Sequence, residues 1–231
     1  MATSGVYTFN RNRDQIIIAA LRLVGAVETG QPVAPEQIQD TAEALNILIK
    51  HLVMEVGALW AIVPLSLPLD LTSQSYTIGP TGVLVTVKPL DILEARRKDS
   101  DNNETMLTAC NRDEYMNLSN KASIGVVNQY YYQPMLVNGI LYVWPVSSSA
   151  TDTIEISARI PFQDFVSMPN NADFPVEALR MLKWNLADEI SLEFPCDSQK
   201  RTEIKEKALG FKNTFRFHDT DLSFNFAPER R

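Results

Sequence analysis

Two histidines, His51 and His218, are the side chains of this 231-residue chain best suited to proton transfer near neutral pH. His51 stands four residues before Glu55, so a helix would bring a carboxylate within one turn of the imidazole. The spacing is not H-E-x-x-H, however, and a helix histidine without a second ligand is by default a packed or surface residue. His218 beside Asp219 has the makings of an oriented base. Near the end of a helix, though, a partly cationic imidazole is favoured by the helix dipole alone. Cys110 and Cys196 lie far apart, outside any C-x-x-C, and read as reduced thiols of an intracellular product. Asp91 with Glu94 and Asp188 with Glu189 are carboxylate neighbours, but in a chain with 28 acids such pairs arise freely. There is no G-x-S-x-G, P-loop or G-x-G-x-x-G. The expectation is a protein with no catalytic residue, no metal and no cofactor. A small hydrolase using His51 or His218 is the least favoured reading.

Binding chemistry has two candidate centres. Tyr130, Tyr131 and Tyr132, with Tyr142 and Trp144 on a following segment, could form a stacking platform for single-stranded nucleic acid. Strand alternation puts Tyr130 and Tyr132 on one face and Tyr131 on the other, and no basic residues are interleaved. Cross-strand support of a sheet is the simpler role. The second centre is electrostatic. Lys200, Arg201, Lys205, Lys207, Lys212 and Arg216 face only Glu203 and Glu206 between residues 200 and 217, in a chain of net charge -7. Such a run is commonly a solvated face, and Glu203 with Lys207 is an ordinary i,i+4 pair. The tail beyond it carries Phe224, Phe226, Arg230 and Arg231, a composition suited to docking. Lys205, Lys212, Arg216, Phe224, Phe226, Arg230 and Arg231 are the candidate docking residues.

The elements that would position these groups follow from period and punctuation. A composition of 45% hydrophobic and 21% charged residues can bury a core as one or two domains. No stretch is apolar for long enough to suggest a membrane span, and the first residues lack the pattern of an export signal. Ile17, Ala20, Leu21 and Val24 line a first helix from Arg13 to a stop at Gly25. Ile38, Ala42, Leu45, Ile49, Leu52 and Val56 line a second, longer one from Pro35 to a cap at Gly57. The short connection makes the two an antiparallel pair. From Leu59 to Leu71 the period changes to two, with Pro64 and Pro68 on one alternate set, as suits an edge strand or a strand with a solvent-facing side. Residues 73–78 are expected to return as its partner. Residues 89–98 and 104–109 form a second hairpin, and Asn111 with Glu114 caps a short helix that runs on to Leu118. Residues 126–133 and 140–144 flank Asn138-Gly139, a strong hairpin signal, and a last strand runs from Thr153 to Ile160. Two more helices follow, lined by Leu179, Leu182, Leu186 and Ile190 and by Ile204, Ala208, Phe211 and Phe215, with Pro195 between them. The expected fold class is α+β: a four-helix domain built from both chain ends (1–57 and 170–218), an inserted antiparallel β domain (58–169) and a C-terminal docking tail (219–231).

Several phrases, in order, resemble the head-to-tail adaptor (connector, or tail tubular) proteins of short-tailed bacteriophages. They are Ala20-Leu21-Arg22-Leu23-Val24-Gly25, then Glu43-Ala44-Leu45-Asn46 leading to Gly57-Ala58-Leu59-Trp60, then Asn111-Arg112-Asp113-Glu114-Tyr115. Tyr130-Tyr131-Tyr132, Leu141-Tyr142-Val143-Trp144-Pro145 and Phe174-Pro175-Val176-Glu177-Ala178-Leu179 with Asn185-Leu186-Ala187 continue the series. The resemblance implies a virion structural protein, made in the host cytoplasm and placed at the head-tail junction. It would form a ring of about twelve copies below the portal protein. Its partners would be the portal and a tail or nozzle protein, with packaged DNA passing through the lumen without sequence-specific binding. The family has no catalytic residues to carry over. A single-stranded nucleic-acid binding module using the tyrosine strand is the alternative.

Overall fold

Asn12 opens the first helix with a reciprocal cap: its side chain accepts from the Gln15 N–H, and the Gln15 side chain accepts from the Asn12 N–H. The computed structural model describes residues 5, 9–55, 59–166 and 174–218. Helix α1 (Arg13–Val24) buries Ile16, Ile17, Ala20, Leu21 and Val24 and stops at Gly25, whose φ of 96° is the left-handed conformation that glycine adopts without strain. Helix α2 (Pro35–Glu55) buries the expected Ala42, Leu45, Ile49 and Leu52. Thr41, Ala44, Leu48 and Val53 widen that stripe, so α2 is covered on more than one side. The cap expected at Gly57 and the last position of the stripe, Val56, lie outside the described residues.

The chain divides into two compact units, one of residues 1–59 with 162–231 and one of residues 60–161. In the first, α1 packs on α2, on α4 (Ala178–Ile190) and on α5 (Ser198–His218), and α4 also packs on α2 and α5. Leu182, Leu186 and Ile190 of α4 and Ile204 and Ala208 of α5 are buried at the expected helical spacing. The buried Asn185 amide donates to Met181 O at 2.9 Å and Ala208 O at 3.4 Å, so it ties α4 to α5 and leaves no donor orphaned. Residues 162–166 have no periodicity to mark them, yet they are strapped to α2. Asn46 donates to Phe165 O and accepts from its N–H, Lys50 reaches Phe162 O and Asp164, and the Phe162 and Phe165 side chains are buried.

A 3-10 turn spans Leu59–Ala61, so the strand expected from Leu59 begins later, in the second unit, as β1 (Ile62–Pro68). Strands β4 (Asp91–Lys98), β5 (Glu104–Met106) and β11 (Thr153–Arg159) join it in an antiparallel sheet of order β1-β11-β4-β5. Pro64 and Pro68 therefore sit on an edge, where the missing N–H costs nothing. A five-stranded sheet runs β3 (Leu84–Val85), β2 (Ser75–Gly79), β9 (Gly139–Trp144), β8 (Gln129–Pro134), β6 (Thr108–Ala109). A short pair joins β7 (Ile124–Gly125) to β10 (Val146–Ser147). The long pairings are antiparallel, whereas β2 with β3, β6 with β8 and β7 with β10 are parallel. Leu67, Ile92, Ala95, Ile154 and Ile156 of one sheet and Tyr76, Ile78, Tyr130, Leu141 and Val143 of the other fill the core of this unit. Helix α3 (Arg112–Met116) carries the expected Asn111/Glu114 capping box and ends at Met116, not Leu118.

The segment after Leu71 does not return along β1. It becomes β2 and pairs with β9, while β1 takes the distant β11. Asp70 causes the departure. Its Oδ1 accepts from the Thr72 N–H at 2.8 Å and the Ser73 N–H at 2.5 Å, closing a turn that carries the chain into the other sheet. Hydrogen bonds from Ser73 first, then Thr72, hold the Asp70 carboxyl down at about 2. A depressed carboxylate adds stability that is present above its unfolded value of 3.8 and lost as the pH falls through about 2. Asp70→Ala is therefore expected to lower thermal stability at pH 6 and to change it far less at pH 2, as read by calorimetry. An equal loss at both pH values would contradict the capping role.

Candidate docking surfaces

Among the described residues, the side chains singled out for chemistry do not converge. His51 is 67% exposed at its side chain and 3.4 Å from Glu55, which also pairs with Lys212. The Cys110 thiol faces Gln129 and is pushed up, by burial first and then by Glu114, which leaves it a weak nucleophile. Both cysteines are free and half-buried. Asp91 uses its carboxylate on the Ile92 N–H, and Glu94 lies against Arg96. Among the described residues no three His, Cys, Asp or Glu side chains come together as a metal site, and no helix is long and apolar enough to cross a membrane.

The tyrosines are placed as the alternation requires. Tyr130 is 4% exposed and Tyr132 packs against the same core. Tyr131 faces the other way and stacks on its cross-strand partner Tyr142, with ring centroids 5.7 Å apart. The sequence did not mark the third ring, Tyr115 of α3, which lies 5.7 Å from Tyr131 and 5.1 Å from Tyr142, with Lys121 above it. The cluster clamps α3 onto the sheet.

The basic helix also differs from a free cationic face. Lys205 is exposed, as is Arg216, but Lys207 is paired with Glu203 and lies over the Trp184 ring. Lys212 turns onto α2, 2.9 Å from the Glu55 carboxylate. Its hydrogen bond is the main cause holding the Glu55 carboxyl below its usual 4.5. Lys212 therefore has a stabilising role within its own unit. A Glu55→Gln, Lys212→Met double-mutant cycle is expected to give a coupling of about 0.5–1 kcal/mol at pH 7, as for a half-exposed pair. That coupling is present above the unfolded value of 4.5 and is lost as the pH falls below it and Glu55 takes up its proton in the folded chain. A cycle that closes to zero at pH 7 would remove this assignment. Phe224, Phe226, Arg230 and Arg231 lie outside the described residues, as do the side chain of His218 and all of Asp219.

A surface the sequence reading missed lies at the end of the five-stranded sheet. β8 and β9 are joined by residues 135–138, closed by the Met135 N–H to Asn138 O. Met135, Leu136 and Val137 are all exposed, Leu136 at 94%. Beside them, Leu84 packs inward on edge strand β3 and so turns Val83 and Val85 outward, Val85 at 74% exposure, with Val87 exposed after them. The two segments are bound to each other. Asn138 donates to Thr81 Oγ1 at 2.9 Å and Lys88 Nζ donates to Met135 O at 2.9 Å. The Tyr132 hydroxyl donates to Pro89 O at 2.6 Å. Burial, then Asp91, pushes that phenol up to about 12, so the bond persists across the neutral range. Gly79 admits Asn138, because a Cβ there would come within 2.9 Å of the Asn138 backbone. Gly139 is needed for the approach of the Tyr132 ring, which a Cβ would strike, and it is the first residue of a strand. The signal in the sequence was three consecutive apolar residues beside Asn138-Gly139, next to the alternation Val83, Val85, Val87.

Compared with known proteins, the chain matches no family, and no curated protein matches it either.

Proposed function

We propose that the protein is a virion structural component, a head-to-tail adaptor that binds below a portal ring and connects it to the tail. In this reading helices from both chain ends form a four-helix domain that carries the C-terminal docking tail. The β unit supplies contacts between copies in a ring of about twelve. The lumen would pass DNA without reading its sequence, in keeping with a chain of net charge -7.

The observation that carries the reading is the pinned apolar tip at Met135, Leu136 and Val137, flanked by Val83 and Val85. Apolar side chains held in water forgo about 1.5–3 kcal/mol each relative to burial, and patches of this kind mark association surfaces. A flexible loop would pay ordering entropy on binding; this one is already fixed by Lys88, Asn138 and Tyr132. A ring needs side-to-side contacts supplied by the chain itself, and a rigid apolar projection meets that need. Gradient co-sedimentation with purified portal rings tests the proposal. The protein is expected to move into the portal fraction, and its remaining at the top at micromolar concentration would count against the adaptor role.

A further inference from the structure

At the N-terminal end of α4, three cations share one groove. Arg11, Arg180 and Lys183 line a depression of about 280 Å³ whose remaining wall is Phe9, Ile16, Val176 and Leu179. Among the described residues, no carboxylate lies within ion-pair distance of any of the three. Their effect on one another is visible at Lys183, whose ammonium is pushed down by burial first and then by Arg11 and Arg180. Phe9 and Val176 are exposed on the same wall. A site built this way suits a ligand that offers carboxylates and apolar side chains together.

We propose that this groove takes the acidic, aromatic segment 219–226 of the same chain. That segment reads Asp219-Thr220-Asp221-Leu222-Ser223-Phe224-Asn225-Phe226, two carboxylates followed by three apolar side chains and no cation. Its point of departure is close. The Arg180 guanidinium lies 4.0 Å over the Phe211 ring, and Phe211 also meets Trp184 at 5.9 Å. With Asn185 bonded to Ala208, these contacts show α5 running antiparallel to α4, toward the end of α4 that bears the groove. From Phe211 to the end of α5 at His218 is about 10 Å of helix, and eight extended residues beyond it reach up to about 27 Å. Asp219 and Asp221 would face the two guanidiniums and the ammonium, and Leu222, Phe224 and Phe226 would cover Phe9 and Val176. The inference concerns the free chain and does not depend on the adaptor reading. If both hold, the segment is exchanged from the groove to the portal.

Zero-length carbodiimide cross-linking of the full chain at low concentration tests it, since the reagent joins an amine only to a carboxylate already in contact. The expected product is a Lys183 link to Asp219 or Asp221 in the monomer band, weakened by high salt and absent in Asp219→Asn, Asp221→Asn. No such link at low salt would overturn the proposal, and a link confined to a covalent dimer would overturn it in favour of a second copy. In a second measurement, Arg11→Glu with Lys183→Glu, which leaves the Arg180 contact with Phe211 intact, should speed chymotryptic cleavage after Phe224 and Phe226 by roughly tenfold, with little change in thermal unfolding. An unchanged cleavage rate in a folded variant would equally overturn it.

Discussion

A chain ending at residue 218 is expected to fold, to melt within about 2 °C of the full chain, and to lose portal attachment by roughly a hundredfold. The folding half of that expectation rests on where the core stops. Phe215 is the last buried apolar side chain of α5 among the described residues, and Ile204, Ala208, Phe211 and Lys212, which are buried or contact α4 and α2, lie before it. The binding half rests on composition. Phe224 and Phe226 with Arg230 and Arg231 pair aromatic anchors with guanidiniums, the residue types that dominate interface energetics. Repetition around a ring multiplies a modest contact, so its removal from every copy is felt as a large loss. Lys205→Glu with Arg216→Glu should weaken attachment further at low salt than at high salt. Lys212→Glu is the poorer probe, because it also breaks the bond to Glu55. Gradient sedimentation of the truncated chain with portal rings gives the answer, and attachment at the full-chain concentration would move the docking surface elsewhere, first to the α1–α2 pair.

The second large effect is expected at the apolar tip. Leu136→Asp with Val137→Asp should leave the free subunit's stability within about 0.5 kcal/mol, because both side chains are already in water. It should also weaken assembly of copies around the portal by roughly a hundredfold, since two carboxylates would be desolvated at each contact. Tyr132→Phe offers a contrast. It deletes the bond to Pro89 O without altering the exposed surface, so it should cost stability of about 1 kcal/mol while weakening assembly far less. Thermal unfolding and ring yield measured side by side separate the two. If the aspartates leave ring yield unchanged, the tip is not an assembly contact.

What could be read from the sequence was local chemistry with a fixed geometric consequence. Gly25 stops α1, Asn111 with Glu114 starts α3, and Pro64 and Pro68 put β1 on an edge, because each of these residues acts on backbone within a few positions. Partner choice between strands was not legible. β1 and β11 are separated by nearly the whole β unit, and the turn that forbids the short return depends on one Asp70 oxygen. Gly139 shows a related limit, since an Asn-Gly pair marked the hairpin correctly while the glycine serves the Tyr132 ring. Of the candidate docking residues, Lys205 and Arg216 are exposed, and Lys212 has a partner on α2, a contact no helical spacing within α5 could reveal. The groove was hidden for the same reason, because Arg11 meets Arg180 and Lys183 only after α1 packs on α4.

The most direct test of the adaptor proposal is the mass and image of the portal ring after mixing with this protein. Native mass spectrometry is expected to find the portal mass increased by about twelve subunits of 25.9 kDa each. Electron microscopy should show the added density as a closed collar on one face. A portal ring that keeps its own mass and bare faces at micromolar concentrations of the protein would contradict the account.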